Sequence, residues 1–243
     1  MTCRYVNRGA QIGTCGFGLA QAEYARVFSC VEVQHTFYQP PTLNTLVRWR
    51  ALMPSDFEFV IKAWQLITHD ARSPTYRRLK RPLSDTERTE AGYFRNSAIV
   101  KEAWQTTFAS AQALSARTIL FQCPASFRQT AENIANLKEF FTSLDRRGLN
   151  LAWEPRGNWD SSVVKSICDQ FTLYHVVDPF VDKTTTRHRP YFRLHGQGGW
   201  RYQYEDSELQ ELAETLPDRS GGYVFFNNSK MTEDALRFCK LRH

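Results

Sequence analysis

Short apolar runs rich in β-branched and aromatic residues alternate along the chain with longer stretches whose apolar positions recur at helical spacing. The short runs predict eight strands: Gln11–Cys15, Cys30–Gln34, Phe57–Ala63, Thr118–Gln122, Asn150–Glu154, Leu173–Asp178, Tyr191–Leu194 and Gly222–Phe226. Pro124, Pro155 and Pro179 stand just beyond strands four, five and six, where a missing N–H ends ladder pairing. The longer stretches predict helices at Ala20–Phe28, Thr42–Leu52, Ser97–Leu114, Gln129–Arg147, Ser161–Gln170, Asp206–Leu216 and Thr232–Leu241. Strands alternating with helices imply a parallel sheet. Eight such units in a chain of 243 residues imply an α/β fold, a single (β/α)8 TIM barrel forming one domain over residues 1–243. One unit is irregular: Pro179–Pro190, between strands six and seven, offers about a dozen residues, barely enough for a crossover helix.

Side chains alternate between barrel interior and helix layer along each strand. One parity is apolar: Val31 and Val33, Ile61, Ile119 and Phe121, Leu151 and Trp153, Val177, Phe192 and Leu194, Val224 and Phe226. The other carries Glu32 and Gln34, Lys62, Gln122, Glu154 and Arg156, Asp178, Arg193 and His195, and Asn227. Charges inside a barrel are costly unless paired, and polar groups at the C-terminal strand ends are where this fold builds its sites. The pattern therefore predicts a pocket there; the competing reading is a self-neutralised ionic plug, with Lys62 paired to Glu32 and Arg156 to Glu154.

Composition refines the picture. Thirty-one Lys and Arg against 25 Asp and Glu give a net charge of +6, which permits anionic partners without demanding nucleic acid. Much of the excess lies in one segment, where Arg72, Arg77, Arg78, Lys80, Arg81 and Arg88 face only Asp85 and Glu87. That segment reads as a loop. No apolar run is long enough to span a membrane, and Met1–Gly9 is polar and basic, unlike a secretory leader. The six cysteines show no metal-binding spacing. The expectation is reduced thiols in a cytoplasmic protein.

Several motifs occur together and in order: Ile12-Gly13-Thr14-Cys15-Gly16-Phe17, Val31-Glu32-Val33-Gln34-His35-Thr36-Phe37-Tyr38, Lys62-Ala63-Trp64-Gln65-Leu66-Ile67-Thr68-His69, Phe121-Gln122-Cys123-Pro124, Trp153-Glu154-Pro155-Arg156, Tyr191-Phe192-Arg193-Leu194-His195-Gly196 and Val224-Phe225-Phe226-Asn227-Asn228. In these the chain resembles the YecE-like family of TIM-barrel proteins of unknown function. The resemblance implies fold and site location but no reaction. It departs at Cys15 and Phe17, where the family usually has Ser and Trp, and at Gly157, where it often has His.

The candidate chemistry follows from the strand ends. Lys62, Arg156 and Arg193 can hold a phosphate or carboxylate. Glu154 or Asp178 would serve as general base and His195 as acid, and Lys62 could form a Schiff base. Glu32, Tyr38, His69, Gln122, Asn227 and Asn228 would contact the ligand. The leading expectation is an enzyme acting on a small anionic compound without an assigned metal. A divalent metal held by Glu32, His69, Glu154, Asp178 and His195 is the alternative, with nucleic-acid processing through the Arg72–Arg88 segment, where Tyr76 lies among the cations and Trp64 and Trp200 would flank the mouth. A non-catalytic anion-binding module is the third reading. Paired-carboxylate glycosidase chemistry conflicts with the nearby cations, and nucleophile-elbow and glycine-rich phosphate motifs are absent.

Overall fold

The computed structural model describes residues 9–216 and 221–242. Eight parallel strands carry the fold: β1 (Gln11–Thr14), β2 (Cys30–Val33), β3 (Glu58–Lys62), β4 (Thr118–Gln122), β5 (Asn150–Glu154), β6 (Leu173–Val177), β7 (Tyr191–Leu194) and β8 (Tyr223–Phe226). They pair in the order β1-β8-β7-β6-β5-β4-β3-β2. A parallel bridge between Cys15 and Glu32 joins the two ends of that order. The fold is the expected (β/α)8 barrel, and strands β4, β5 and β7 have the predicted boundaries. The chain also divides into two compact units. One gathers the segment up to Val33, Ala51–Val60 and the chain from Tyr174 onward; the other gathers Gln34–Arg50 and Ile61–Leu173.

In the second unit β4 and β5 pair in register from Thr118↔Asn150 to Gln122↔Glu154. Helices α6 (Ala98–Leu114) and α7 (Ala131–Ser143) cover them. Phe121 projects toward these helices and meets Trp104, Phe140 and Phe141, so the apolar parity does face the helix layer. Ser97 and Thr130 cap the two helices by accepting from Val100 N and Asn133 N. The predicted helix at Gln129–Arg147 is shorter than expected, because Thr130 is the cap and Arg147 and Gly148 turn the chain with positive φ.

This unit holds short helices that periodicity does not reveal. They are α2 (His35–Tyr38), α4 (Gln65–Thr68) and α5 (Asp85–Glu90), with a 3-10 turn at Pro74–Arg78. The basic segment is thus not an open loop. Ser73 and Pro74 start the turn, and Ser84 with Glu87 forms a capping box for α5. No longer amphipathic pattern exists there for a period to show.

In the first unit, β8 pairs β1 from Gln11↔Tyr223 and β7 from Tyr191↔Tyr223. Helix α10 (Met231–Leu241) packs on this side, with Phe238 against Phe226. No helix joins β6 to β7, as the short spacing predicts. The connection is tied to β6 by side chains instead: Thr184 Oγ1 donates to His175 O, Thr186 Oγ1 accepts from His175 N, and His175 Nδ1 accepts from Thr185 N. These bonds satisfy strand-edge groups that a neighbour would otherwise take.

The thiol expectation needs one correction. Cys15, Cys30, Cys123 and Cys168 are free and buried, but Cys239 is disulfide-bonded. Among the described residues no helix is long and apolar enough to cross a membrane.

Candidate functional site

The second unit brings Lys62, His69, Glu154 and Arg156 within electrostatic reach of one another. Lys62 ends β3 and is 6% exposed. Its ammonium lies 3.7 Å from the centroid of the Phe37 ring, a geometry in which the ring's negative face stabilises a cation. His69 caps the end of α4, is buried, and meets the same Phe37 ring edge-on at 4.8 Å. The loop around His69 is held hard. Its N–H donates to Gln65 O, Tyr76 Oη donates to its carbonyl, and its Nδ1 is 2.8 Å from Thr68 Oγ1. Gly92, with φ +78, packs so closely that a Cβ there would sit 2.1 Å from His69 O.

Burial holds the His69 pKa down at about 3, and the Lys62 and Arg156 cations push the same way against the opposing Glu154. The imidazole is therefore neutral at physiological pH, and the field it senses is net cationic. Glu154 ends β5, buried, with Oε1 2.9 Å from Arg156 Nε. This is the Arg156–Glu154 pair the plug reading expects, but Arg156 is 40% exposed on its side chain. Gln122 is buried and register-paired with Glu154 on the neighbouring strand. Gly157 follows in a φ of +87, where a Cβ would lie 3.0 Å from Ala125 O. Here the backbone itself favours glycine over the histidine of the family pattern.

A further cation stacks on the adjoining ring. Arg78, on the 3-10 turn, lies 3.7 Å over the Tyr38 ring, and Tyr38 is edge-on to Phe37 with centroids 4.9 Å apart. The buried Gln65 amide fixes this pair of rings by donating to Tyr38 O. Its Oε1 has no hydrogen-bond partner among the described residues. Trp64, expected at a mouth, is instead buried at 4% exposure.

The first unit holds the remaining predicted residues in two groups. Glu32 and Arg193 form a buried ion pair, 0% and 1% exposed. Arg193 Nε and Nη2 donate to the carboxylate at 2.9–3.2 Å, and Tyr191 Oη adds a donor at 2.6 Å. Cys15 Sγ donates to Glu32 Oε1 at 3.3 Å; burial pushes its pKa, and that of Tyr191, well up. Arg193, read in the sequence as an anion binder, thus has its guanidinium committed to Glu32.

The other group contains Asp178, His195, Asn227 and Asn228. Asp178 accepts from His195 N at 2.9 Å and from Phe180 N at 3.1 Å, so its carboxylate shapes the turn after β6. Asn227 Nδ2 lies 3.0 Å from His195 Nδ1, within hydrogen-bond distance. Asn228 Nδ2 donates to Asp234 Oδ2 and Tyr202 O, anchoring the start of α10. Trp200 is 63% exposed with Arg201 5.2 Å over its ring.

The basic segment is partly neutralised. Arg72 pairs with Asp70, and Arg81 with Glu87 and Glu102. Arg77, Arg78, Lys80 and Arg88 carry no ion pair among the described residues. Among those residues, no three His, Cys, Asp or Glu side chains converge as a metal site requires. The sequence groups His69 with Lys62 and Glu154 but contains no signal for the Phe37–Tyr38 platform, which depends on a short, irregular turn.

A family model described as "Protein of unknown function DUF72" matches residues 19–241. No curated protein matches the chain. Among solved structures, a DUF72 family protein from Enterococcus faecalis V583 is 23% identical with a TM-score of 0.72, covering 98% of each chain. Another from Thermotoga maritima MSB8 is 21% identical with a TM-score of 0.70, covering 96% of this chain and 98% of that one. An AP endonuclease, family 2, from Brucella melitensis is 13% identical with a TM-score of 0.54 over 94% and 96%. At these identities the likenesses speak to fold.

Proposed function

The chain belongs to the DUF72 family, the same family as the YecE-like proteins it resembles in sequence, and from that footing we propose that it is an enzyme acting on a small phosphorylated or carboxylated compound at the Lys62–His69–Glu154–Arg156 cluster. The observation that carries this reading is the half-exposed Arg156 paired with Glu154, within electrostatic reach of the buried Lys62 and His69. A site with two cations, one carboxylate and a neutral histidine suits an anion plus a proton to be moved. Arg156, half-exposed, would hold the anionic group through its guanidinium. Glu154 would act as base, and the neutral His69 would hydrogen-bond the substrate rather than carry a proton. This moves the histidine role from His195, which is held by Asp178 and Asn227.

Thermal unfolding with inorganic phosphate tests the reading. Phosphate at about 100 times its Kd should stabilise the protein by roughly 2.7 kcal/mol. Arg156→Ala and Lys62→Met should each remove most of that gain. Retention of the full gain in both variants would reject this cluster as the anion site. Nucleic-acid binding is the second reading, favoured by the four unneutralised cations of residues 77–88. It requires single-stranded DNA to bind with a steep inverse salt dependence, and loss of Arg77 and Lys80 to flatten it.

A further inference from the structure

We propose that the cleft between α6 and α7, in the helix layer of the second unit, is a binding site for a small aromatic carboxylate. The inference is independent of the anion-site reading above and concerns different residues. The cleft has a volume of about 250 Å³, room for one ring or two fused rings rather than for a drug-sized molecule. Its walls are aromatic, with Phe94, Trp104 and Phe140 all lining it. Phe140 stands edge-on to Trp104, with centroids 6.3 Å apart, and to Phe94, at 5.3 Å. Rings prefer edge-to-face and offset contacts, so a flat guest ring would extend an arrangement the walls already have. Phe94 reaches the cleft through an uncommon backbone. Gly92, Tyr93 and Phe94 follow one another in the left-handed region, with φ of 78°, 54° and 55°. The Gly92 and Phe94 N–H groups donate to Leu66 O and Ile67 O, which hold that turn in place. Bulky L residues rarely adopt this conformation, and the aromatic wall depends on it.

The polar groups at the rim select the charge of the guest. Lys101 and Trp104 both border the cleft. They lie three residues apart on α6, a spacing that puts them on one helix face. Among the described residues the Lys101 ammonium has no ion pair and the Trp104 indole N–H has no acceptor. Two donors on one face suit the two oxygens of a carboxylate. The other charged groups at the rim are engaged. Arg95 Nη1 donates to Ala91 O, and its Nη2 is 3.7 Å from Asp70 Oδ2. Glu139 Oε1 accepts from Asn96 Nδ2 at 2.5 Å. The negative charge of Glu139 also sets a limit, because it disfavours a phosphate dianion more than a singly charged acid. The guest that fits both the walls and the rim is a ring carrying one carboxylate on a short arm.

Calorimetric titration of the full-length protein with phenylacetate, phenylacetamide and phenethylamine tests this. The three probes share a ring and a short arm and differ in charge. The acid should bind about tenfold more tightly than the neutral amide, the size of one charge-assisted hydrogen bond, and the amine should bind more weakly than either. Lys101 is exposed, so Lys101→Met should fold normally, and it should bring the acid down to the affinity of the amide. Trp104→Leu should weaken acid and amide alike, with far-ultraviolet dichroism confirming that the helices remain. Arg156→Ala, in the Lys62 cluster, should leave phenylacetate binding unchanged, and phosphate should not compete with it. The inference is overturned if phenylacetate gives no heat and no thermal stabilisation at millimolar concentration, or if it binds no better than the amide. It is equally overturned if Lys101→Met keeps the preference for the acid, or if Arg156→Ala abolishes binding, which would put the acid in the barrel site instead.

Discussion

Arg193 and Lys62 are both inward cations on barrel strands, both are nearly inaccessible to water, and they are stabilised in different ways. Arg193 is answered by a carboxylate that it grips with two nitrogens, and Glu32 in turn collects donors from Tyr191 and Cys15. The full charge of each partner is matched inside the protein. Lys62 rests on an aromatic face, with a second cation acting on the same buried histidine. The first arrangement has the form of a structural plug, in which the pairing offsets the desolvation of both ions. The second sets a buried ammonium on an aromatic ring, with a half-exposed guanidinium paired to Glu154 in the same cluster. The plug reading thus attaches to Glu32 and Arg193, and the binding site we propose attaches to the Lys62 cluster.

The largest effect should come from breaking the plug. Arg193→Met leaves Glu32 buried without its guanidinium and should cost about 3–5 kcal/mol, a fall in Tm on the order of 10 °C for a chain of this size. The double variant Glu32→Met with Arg193→Met should recover much of this, because both charges then vanish together. Chemical denaturation of the two singles and the double measures the coupling. Equal losses in single and double variants would show that the pair does not act through mutual neutralisation.

That contrast also marks how far the sequence could be read. The strand parity correctly placed Glu32, Lys62, Gln122, Glu154 and Arg193 on inward positions, since a period of two follows from the pleat alone. Partners across strands were beyond it. Glu32 and Arg193 are 161 positions apart, and pairing them needs the strand register and the side-chain reach. The Lys62 surroundings were still less legible. They depend on α2 and α4, single turns with no hydrophobic period, and on the backbone at Gly92 that wedges against His69. The short turns that give the basic segment its shape were partly readable, because Ser84-x-x-Glu87 is a capping box in the sequence itself.

The next effect is the acid response of the Lys62 side. His69 in the unfolded chain protonates below its ordinary value of 6.5, whereas the folded protein resists until about 3. Between those values the unfolded state binds the extra proton, so stability falls as pH is lowered through that window. A single group contributes at most about 1.4 kcal/mol per pH unit. His69→Gln, neutral throughout, should lose stability less steeply than the wild type from pH 6.5 toward 3 in urea titrations. Parallel curves for the two proteins would mean that His69 does not resist protonation in the fold.

The smallest effect separates the buried cation from its exposed neighbour. Arg78 sits over Tyr38 at the surface, where a cation–ring contact contributes about 0.5–1 kcal/mol. Removing the charge as Arg78→Ala should weaken phosphate binding by up to about fivefold, the size of one exposed charge–charge interaction. An exposed charge is screened within about 10 Å at 0.1 M salt, so that loss should fade as sodium chloride is raised. Lys62 is shielded from the solvent by its burial, so the loss in Lys62→Met should persist under the same salt. Calorimetric titration of phosphate into the two variants at low and high salt reads the difference directly. If both losses fade together, Lys62 behaves as a surface charge, and the contrast between a shielded inner cation and a screened outer one fails.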